Sequence, residues 1–529
     1  MLRRYIFLVI SFFSLLLYGC DNSLLNVNPH DRYTQNNFWN SAQAANSALT
    51  GCYAVLRYAG VYGGTATPLW EETASPNAYS YNNSDGWNSI AEGLQSATTG
   101  GIISSRWADC YSGIGRCNYF LSNIDRVSDL DSATRIRMKG EAHFLRALYY
   151  FILENYWGSV PLILDPPDPN SQANLPRTPR EQVVQQILQD LDSAALVLPL
   201  KYGSADLGRA TRGAALALKA KVLLFEASPL FNINNDKNKW KLAADAAKLV
   251  MDIAPSAGYG LYPDYRSLFL PENENNKEVI FDVQFIYPQE GNSFDLICGQ
   301  YNSNAPLQDL IDAYEMKNGL PITNPLSGYR PDSPYINRDP RFYATIVYPG
   351  EVWMNGSTKV TVTSSWFPIT GYAMQKLSVY NSATKPPVRS SDIKDGQSYI
   401  NYIVIRYADI LLMYAEAQNE FSGPDASVYS AINQVRARVG MPNIPLGLSQ
   451  DSMRTIIRHE RRVEFAGEGL YYNDIRRWKI ADQVMNAPIY TWKHTLIETR
   501  RFNPNRDYWW PIPQTQLDLN SNLQQNPGY

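Results

Sequence analysis

Histidine and cysteine are scarce in this chain, which has four histidines and five cysteines among 529 residues. The histidines are scattered and show none of the spacings at which side chains share a metal ion: His30, His143, His459 and His494. Cys110 and Cys117 are seven residues apart, so a helix would separate their Cα atoms by about 10 Å, too far for a disulfide. The sequence therefore predicts buried free thiols, no metal site and no cofactor.

Motifs of known catalytic machinery are also missing, because the chain has no G-x-S-x-G, HExxH or phosphate-loop pattern. Two pairs of carboxylates remain as candidates for a glycosidase, at Glu71–Glu72 and at Glu460–Glu464. Arginines surround the second pair and would keep both carboxylates ionised, whereas a general acid needs a raised pKa. These observations predict that the protein is not an enzyme. A glycoside hydrolase is the alternative, which an assay for new reducing ends would detect.

Charged residues and long apolar runs are limited as well. Charged residues make up 18% of the chain and the formal net charge is −3, which gives no electrostatic reason to expect nucleic acid as a partner. After the N-terminal segment, no stretch reaches the ~18 apolar residues of a membrane span. Tyrosine, in contrast, occurs 36 times, and a surface rich in Tyr, Asn, Ser and Trp suits neutral polar ligands such as sugars.

The N-terminus has the parts of a lipoprotein signal. Arg3 and Arg4 precede an apolar run, Ile6–Leu17, that is too short to span a membrane. The run leads into LLYGC, which resembles a lipobox and predicts acylation of Cys20. The alternative is an ordinary signal peptide followed by a cysteine by chance. We therefore expect residues 1–19 to be a lipoprotein signal peptide and residues 20–40 to be a lipid-anchored tether.

Apolar periodicity predicts a mainly α-helical chain. The helices form four pairs that resemble degenerate tetratricopeptide repeats, whose period is broken by long loops. The predicted pairs are Ser41–Ala59 with Ser104–Asp125, Arg135–Tyr156 with Pro179–Leu198, Ala210–Ser228 with Lys237–Ile253, and Tyr402–Phe421 with Asp425–Val439. We expect one domain over residues 41–529, with the helix-pair scaffold at about 41–260 and 400–480.

Two loop-rich insertions interrupt this scaffold, at about 60–103 and 261–400. The second contains short β-prone runs, such as Glu278–Phe285, and predicts an irregular subdomain with short strands. Long loops in a compact domain usually carry function, so we expect the ligand site in these insertions.

Aromatic residues of the insertions are the candidate ligand-binding residues, because an aromatic face can stack on the C–H face of a sugar ring. Trp87 is the preferred anchor, since the polar segment Asn82–Asn88 predicts an exposed turn. With ~25 cal/mol/Å² and roughly 50 Å² of apolar sugar surface, one platform contributes about 1.2 kcal/mol. The alternative for each tryptophan is packing into a small satellite core. The candidates are Trp70, Tyr81, Trp87 and Asn88 in the first insertion, and Tyr301, Trp353 and Trp366 in the second. Trp492 lies in a further loop, outside both insertions.

One charged block, Arg458–Lys479, is the most informative stretch: RHERRVEFAGEGLYYNDIRRWK. Three glutamates in this block are spaced four residues apart, so a helix would place them on one face. Arg461 and Arg462 could then pair with them. These glutamates are Glu460, Glu464 and Glu468. The spacing predicts a partly buried network of carboxylates and arginines.

This block resembles the RHERRxELAFEG…DIRRW pattern of the SusD/RagB family. Six further segments resemble the family: Ala142–Leu162, Gly208–Asn232, Asn337–Ile346, Arg406–Glu420, Ala431–Pro442 and Pro511–Tyr529. The resemblance implies a fold of four helix pairs and a lipid anchor at the outer-membrane surface of a Gram-negative cell. It also implies capture of an oligosaccharide for a partner, a TonB-dependent SusC-like β-barrel transporter. Peptide capture, as on the RagB side of the family, is the alternative.

Replacing Cys20 with alanine should release the protein from the membrane, because acyl chains would be its only apolar anchor, at about 0.8 kcal/mol per buried methylene. Fractionation of cells that lack any barrel partner measures this, with the wild type as the reference. A Cys20→Ala protein that still sediments with the outer membrane would contradict the lipobox assignment.

Overall fold

The computed structural model describes residues 38–64, 66–354, 359–362 and 369–529. The predicted signal peptide, Cys20 and Trp366 lie outside the described residues. Helices of 13 residues or more are labelled α1 (Ala42–Ala54), α2 (Ile102–Asn123), α3 (Ser132–Trp157), α4 (Arg180–Val197), α5 (Arg212–Ala227), α6 (Lys237–Ala257), α7 (Tyr407–Ser422), α8 (Ala426–Arg438) and α9 (Gln450–Glu464). Shorter α-helices are Thr67–Glu71, Trp87–Ala91, Pro169–Gln172, Phe294–Leu296, Gln308–Ala313, Pro340–Thr345, Tyr471–Arg477, Ala481–Val484 and Gln514–Leu519. The strands are β1 (Ala78–Tyr79), β2 (Val279–Val283), β3 (Ala305–Pro306), β4 (Ile346–Val347), β5 (Ala373–Met374), β6 (Tyr402–Arg406), β7 (Pro488–Tyr490) and β8 (Leu496–Thr499).

The helices α1 to α8 form a continuous stack in which each helix packs on the one before it. This arrangement confirms the predicted mainly α fold with four helix pairs. One boundary is wrong: Tyr402–Arg406 is strand β6, which pairs with β2, and the helix of the fourth pair begins only at Tyr407. The run YIVIR is rich in β-branched residues and is buried at every position, which favours a strand.

Local sequence sets the starts and spacings of these helices. Six of the nine begin at a side chain that accepts a hydrogen bond from a backbone N–H of the first turn: Ser41, Asp131, Thr211, Asp236, Asp425 and Ser449. Gly113 lets α2 approach α3 closely, since a Cβ there would lie 2.5 Å from the ring of Tyr149.

Cys52, Cys110, Cys117 and Cys298 are buried free thiols, as predicted.

The strands form four antiparallel pairs, β1–β3, β2–β6, β4–β5 and β7–β8. The expected short strands are confirmed, but β1, β6, β7 and β8 lie outside the predicted range of the irregular subdomain, 261–400. Within the described ranges, no helix has both the length and the apolar character needed to cross a membrane.

A buried ionic network around Glu464 joins the helical stack to the irregular subdomain. Glu464 Oε1 accepts hydrogen bonds from Arg406 Nη1 at 2.7 Å and from Arg438 Nη2, and its Oε2 accepts one from Arg341 Nη1 at 3.0 Å. These four side chains are at most 2% exposed. They come from α9, the end of β6, α8 and the short helix Pro340–Thr345, so one carboxylate ties four segments together.

Neighbouring charges extend the network in both directions. Glu468 accepts from Arg406 Nε at 2.9 Å and from Lys376 Nζ at 2.6 Å, and Glu460 accepts from Arg436 Nη1 at 2.8 Å. The predicted network is therefore present, but it is fully buried and its partners are long-range. The prediction that these glutamates pair with Arg461 and Arg462 is therefore wrong.

Arg461 and Arg462 of α9 instead pair with carboxylates of other elements. Arg461 binds Asp409 at 2.8 Å and Asp474 at 3.0 Å, and Arg462 binds Asp309. Near the exposed start of α9, Arg454 does pair with Asp451 of its own helix, whereas Arg461 and Arg462 lie farther along, where neighbouring elements bring their carboxylates close.

The Glu464 carboxyl is held ionised. Burial alone would raise its pKa, but the guanidinium groups of Arg438, Arg406 and Arg341 outweigh burial and hold the pKa of Glu464 well below its usual range. Such a group stabilises the fold at pH values above the ordinary carboxyl pKa, and its contribution is lost as the pH falls through the folded-state pKa.

Trp87 belongs to the core, so its predicted exposure is wrong. The expected polar turn does form just before it, with Asp85 and Gly86 at positive φ. Trp87 then starts the short helix Trp87–Ala91 with its ring 0% exposed. The ring packs edge-on against Trp510 at 5.7 Å between centroids, and the guanidinium of Arg106 lies 5.5 Å from its centroid.

Two other candidate tryptophans are buried as well, which corrects their predicted role as platforms. Trp70 is 7% exposed within the main core. Trp353 is 0% exposed and packs in a small cluster with Leu296 and Met354. The residues of the first insertion from 66 to 80 are all buried, because this loop forms part of the core rather than a surface.

Replacing Glu464 with glutamine should lower the free energy of unfolding by about 3–5 kcal/mol, because it leaves buried guanidinium groups without their counter-charge. Thermal or denaturant unfolding at pH 7 measures this, and the difference from wild type should shrink below about pH 4. Glu181→Gln on the exposed start of α4 is the control and should unfold as the wild type does. Equal stability of the Glu464 variant would contradict the assigned network.

Replacing Trp87 with alanine should also destabilise the fold, by about 3–5 kcal/mol, because it leaves a cavity against Trp510. The melting temperature measured by circular dichroism is the readout. Tyr81→Ala, whose ring is 43% exposed a few residues earlier, should melt with the wild type. If the two variants melted alike, the buried position of Trp87 would be wrong.

Candidate functional site

A cleft of about 620 Å³ lies between the β7–β8 hairpin and the irregular subdomain. Its walls come from the hairpin, the short helix Gln308–Ala313, the loop residues 370–372 and Tyr335. The volume is in the range of small-ligand sites. Four aromatic side chains line the cleft: Tyr335, Tyr372, Tyr490 and Trp492.

The hairpin supplies the aromatic wall. Strand alternation places Ile489 inward, where it packs with Tyr79 and Leu307, and leaves Tyr490 48% exposed. Trp492 at the tip is partly exposed, and its backbone N–H donates to Ile369 O at 3.1 Å. The hairpin therefore holds two accessible rings along one side of the cleft.

Gly371 allows the hairpin tip to approach the facing loop. Its φ is +84°, and a Cβ at this position would lie 3.0 Å from Trp492 Cβ. A residue other than glycine would be strained here and would push the tryptophan away.

The opposite wall is polar. The short helix Gln308–Ala313 buries Leu310 and Ile311 and presents Gln308, Asp309 and Asp312 on its outer face. Asp309 is held by Arg462 of α9. Partial burial raises the pKa of Asp312, and the hydrogen bond from Gln308 and the charge of Arg338 offset only part of this effect.

Hydrogen bonds link the polar and aromatic residues of the cleft. Gln308 Nε2 donates to Asp312 Oδ1 at 2.8 Å, and Tyr372 Oη donates to Gln308 Oε1 at 2.9 Å. The hydroxyl oxygens of Tyr335 and Tyr372 are 3.1 Å apart. Burial raises the pKa of both tyrosines, so both hydroxyls stay protonated at neutral pH. The site can stack on an apolar face and bind hydroxyl groups beside it.

Two other clefts offer less for a ligand. One of about 650 Å³ lies beside the C-terminal segment. The ring of its Trp509 packs edge-on against Phe231 at 5.7 Å between centroids and also covers Gly158, so little of the ring is left for stacking on a ligand. Another, of about 290 Å³, has Tyr53 as the one aromatic residue among its lining side chains.

The remaining candidates from the sequence lie apart from the lining of the cleft. Tyr81 and Tyr301 are each 43% exposed, so their rings are accessible and their predicted roles stay predictions. Asn88 uses its amide within the chain, since Nδ2 donates to Ser80 O at 2.7 Å. Trp366 lies outside the described residues.

Sequence reasoning missed the hairpin wall. The segment from Pro488 to Thr499 has two short β-prone runs, PIY and LIET, separated by a polar stretch, and this pattern could have indicated a hairpin with Trp492 at its tip. The walls of the cleft come from segments far apart in sequence, so no local pattern shows that they meet.

The carboxylate pairs considered for catalysis are engaged in the interior. Glu71 accepts from Arg106 at 3.1 Å and from Asn473 at 2.8 Å, while Glu72 accepts from Asn77 at 2.6 Å and from the N–H of Gly469 at 2.9 Å. The second pair, Glu460 and Glu464, lies in the buried network. In the described ranges, no group of three or more His, Cys, Asp or Glu side chains is arranged to hold a metal ion.

Comparison with known proteins gives consistent matches in both halves of the chain. The model of the SusD family matches residues 277–529, and a model described as starch-binding associating with outer membrane matches residues 24–224. A SusD-like protein from Formosa agariphila, P25, is 26% identical over 99% of this chain and 98% of its own length.

Solved structures share the fold over nearly the whole chain. A SusD-like carbohydrate binding protein from Bacteroides fragilis superposes with a TM-score of 0.78 and 29% identity, covering 92% of this chain and all of that one. A laminarin binding SusD-like protein superposes with a TM-score of 0.72 and 26% identity, covering 93% and 100%. By its sequence in both halves and by its fold, this chain belongs to the SusD family.

Proposed function

We propose that this protein binds an oligosaccharide in the cleft beside the β7–β8 hairpin, with Trp492 and Tyr490 as stacking platforms. The observation that carries the proposal is the position of these two accessible rings opposite hydroxyl- and carboxylate-bearing side chains. The carbohydrate binding and laminarin binding relatives support a glycan as the ligand. The proposed site is therefore centred on Trp492 and not on the buried Trp87.

The expected affinity follows from the number of platforms. At ~25 cal/mol/Å² and roughly 50 Å² of covered sugar surface, each ring contributes about 1.2 kcal/mol. Two rings and a few hydrogen bonds of about 1 kcal/mol each correspond to a Kd in the millimolar range or somewhat below. Binding of this strength would let a captured ligand leave the cleft again.

We further propose that the protein acts at the cell surface, on a lipid anchor at Cys20, and passes its ligand to a TonB-dependent SusC-like outer-membrane transporter. The lipobox-like LLYGC sequence supports the anchor, and the matching model described as associating with outer membrane supports the location. The resemblance to the SusD/RagB family supports the transporter as the partner. Isolation of the protein from its native membrane, followed by mass spectrometry of what co-purifies, tests this partner.

Replacing Trp492 with alanine should weaken oligosaccharide binding about sevenfold, because one stacking platform of about 1.2 kcal/mol is lost. Calorimetry with a panel of glycans and peptides measures this, and the melting temperature should change little because the ring is partly exposed.

Tyr301→Ala is the matched control, since it removes an accessible ring that does not line the cleft. A loss of binding in this control, with the Trp492 variant unaffected, would place the site at the position predicted from sequence. Binding of peptides and no glycan would favour the RagB-like alternative.

A further inference from the structure

Four side chains of the polar wall form a chain of hydrogen bonds in which the donor and the acceptor of each bond can be assigned. It runs from Tyr335 through Tyr372 and Gln308 to Asp312, with heavy-atom distances of 3.1, 2.9 and 2.8 Å. The direction is set at its end, because an ionised carboxylate can only accept hydrogen bonds. Asp312 must therefore face the amide nitrogen of Gln308.

The orientation of the amide then fixes the two hydroxyls. With its nitrogen on Asp312, Gln308 presents Oε1 to Tyr372, which must donate its proton there. The oxygen of Tyr372 then accepts the proton of Tyr335. Both hydroxyl protons and one amide proton are used inside the chain.

On this wall, the groups that remain for a ligand are mostly hydrogen-bond acceptors. Asp312 keeps its second carboxylate oxygen, the two phenol oxygens keep lone pairs, and Gln308 keeps one N–H. Asp309 adds a carboxylate oxygen beyond the one held by Arg462.

The guanidinium groups near the cleft do not compensate for these acceptors. Arg500 lines the cleft but is 2% exposed, and it donates to Glu498, to Ser75 O and to Ala78 O. Arg338 lies near Asp312 but is 1% exposed and donates to backbone carbonyls of Pro334, Ile311 and Tyr314. Neither guanidinium group is turned toward a ligand.

The basic side chains that are accessible lie on the opposite side, at the hairpin tip, where His494 lines the cleft and Lys493 Nζ lies 5.1 Å from the centroid of the Trp492 ring. The acidic groups Asp309 and Asp312 face a ligand from the polar wall.

We propose that the cleft selects uncharged oligosaccharides, which it binds through their hydroxyl donors, and rejects glycans that carry carboxylate or sulfate groups. A sugar hydroxyl can donate to Asp312 and to the phenol oxygens, whereas a uronate or sulfate brings further acceptors and a charge of the same sign as Asp309 and Asp312. This inference rests on the proposed function of the cleft.

The test is calorimetry with length-matched probes on the full-length protein. The neutral probes are cellohexaose, laminarihexaose, maltohexaose and mannohexaose, and the anionic probes are hexagalacturonate and hexamannuronate. We expect the wild type to bind at least one neutral hexasaccharide and to bind both anionic ones at least tenfold more weakly.

Asp312→Asn should weaken the neutral ligand about tenfold, since it removes a charge-assisted hydrogen bond, and should strengthen the anionic probes, since it removes a like charge. Asp518→Asn is the control, because Gln514 donates to Asp518 over the same i,i+4 spacing at 2.8 Å on an exposed helix outside the cleft. It should bind all probes as the wild type does.

The outcomes separate the two proposals. If the uronate hexamers bind as tightly as the best neutral hexasaccharide, the proposed selection of neutral glycans is overturned. It is also overturned if Asp312→Asn leaves neutral binding unchanged while Trp492→Ala weakens it. In both cases the proposed glycan site remains supported. If no hexasaccharide binds, or if Trp492→Ala has no effect on binding, the proposed function fails and this inference fails with it.

Discussion

Glu464 makes the interaction on which the rest of the structure depends. Its carboxylate is buried and is held by three guanidinium groups from three separate segments. A buried charge without its partners is very costly, so each segment has one allowed position relative to α9. Apolar contacts and separate ion pairs, such as Arg146 with Asp190 at 2.7 Å, join the helices of the stack, whereas this network holds the irregular subdomain on them.

The network also places the polar wall of the cleft. Arg341 lies three residues after Arg338, whose guanidinium binds the carbonyls of Ile311 and Tyr314 at the end of the helix that carries Asp312. Lys376 binds the carbonyl of Glu464 at 2.9 Å, close in sequence to Tyr372. Buried charged side chains therefore hold the backbone of the polar wall in place, and each lies within a few residues of a side chain that lines the cleft.

The sequence predicted those features that depend on neighbouring residues. Helix pairs follow from apolar periodicity, and the presence of an ionic network around Glu464 follows from the spacing of the charged block, although the partners of each charge do not. The exposure of Trp87 was predicted wrongly because the turn before it is local, whereas its burial depends on Trp510 at the other end of the chain. The cleft escaped prediction for the same reason, since Trp492, Tyr372 and Asp312 meet only in the folded chain.

The tip of the β7–β8 hairpin is held mainly by hydrogen bonds within its own turn. Thr491 accepts hydrogen bonds from Lys493 N at 3.2 Å and Thr495 N at 3.1 Å, so the turn folds on itself. Its attachment to the body runs through Ile489 below and Ile369 alongside. Residues at the tip can therefore be exchanged without loss of core contacts. A new ligand preference can arise there at little cost in stability, while the scaffold that presents the tip stays unchanged.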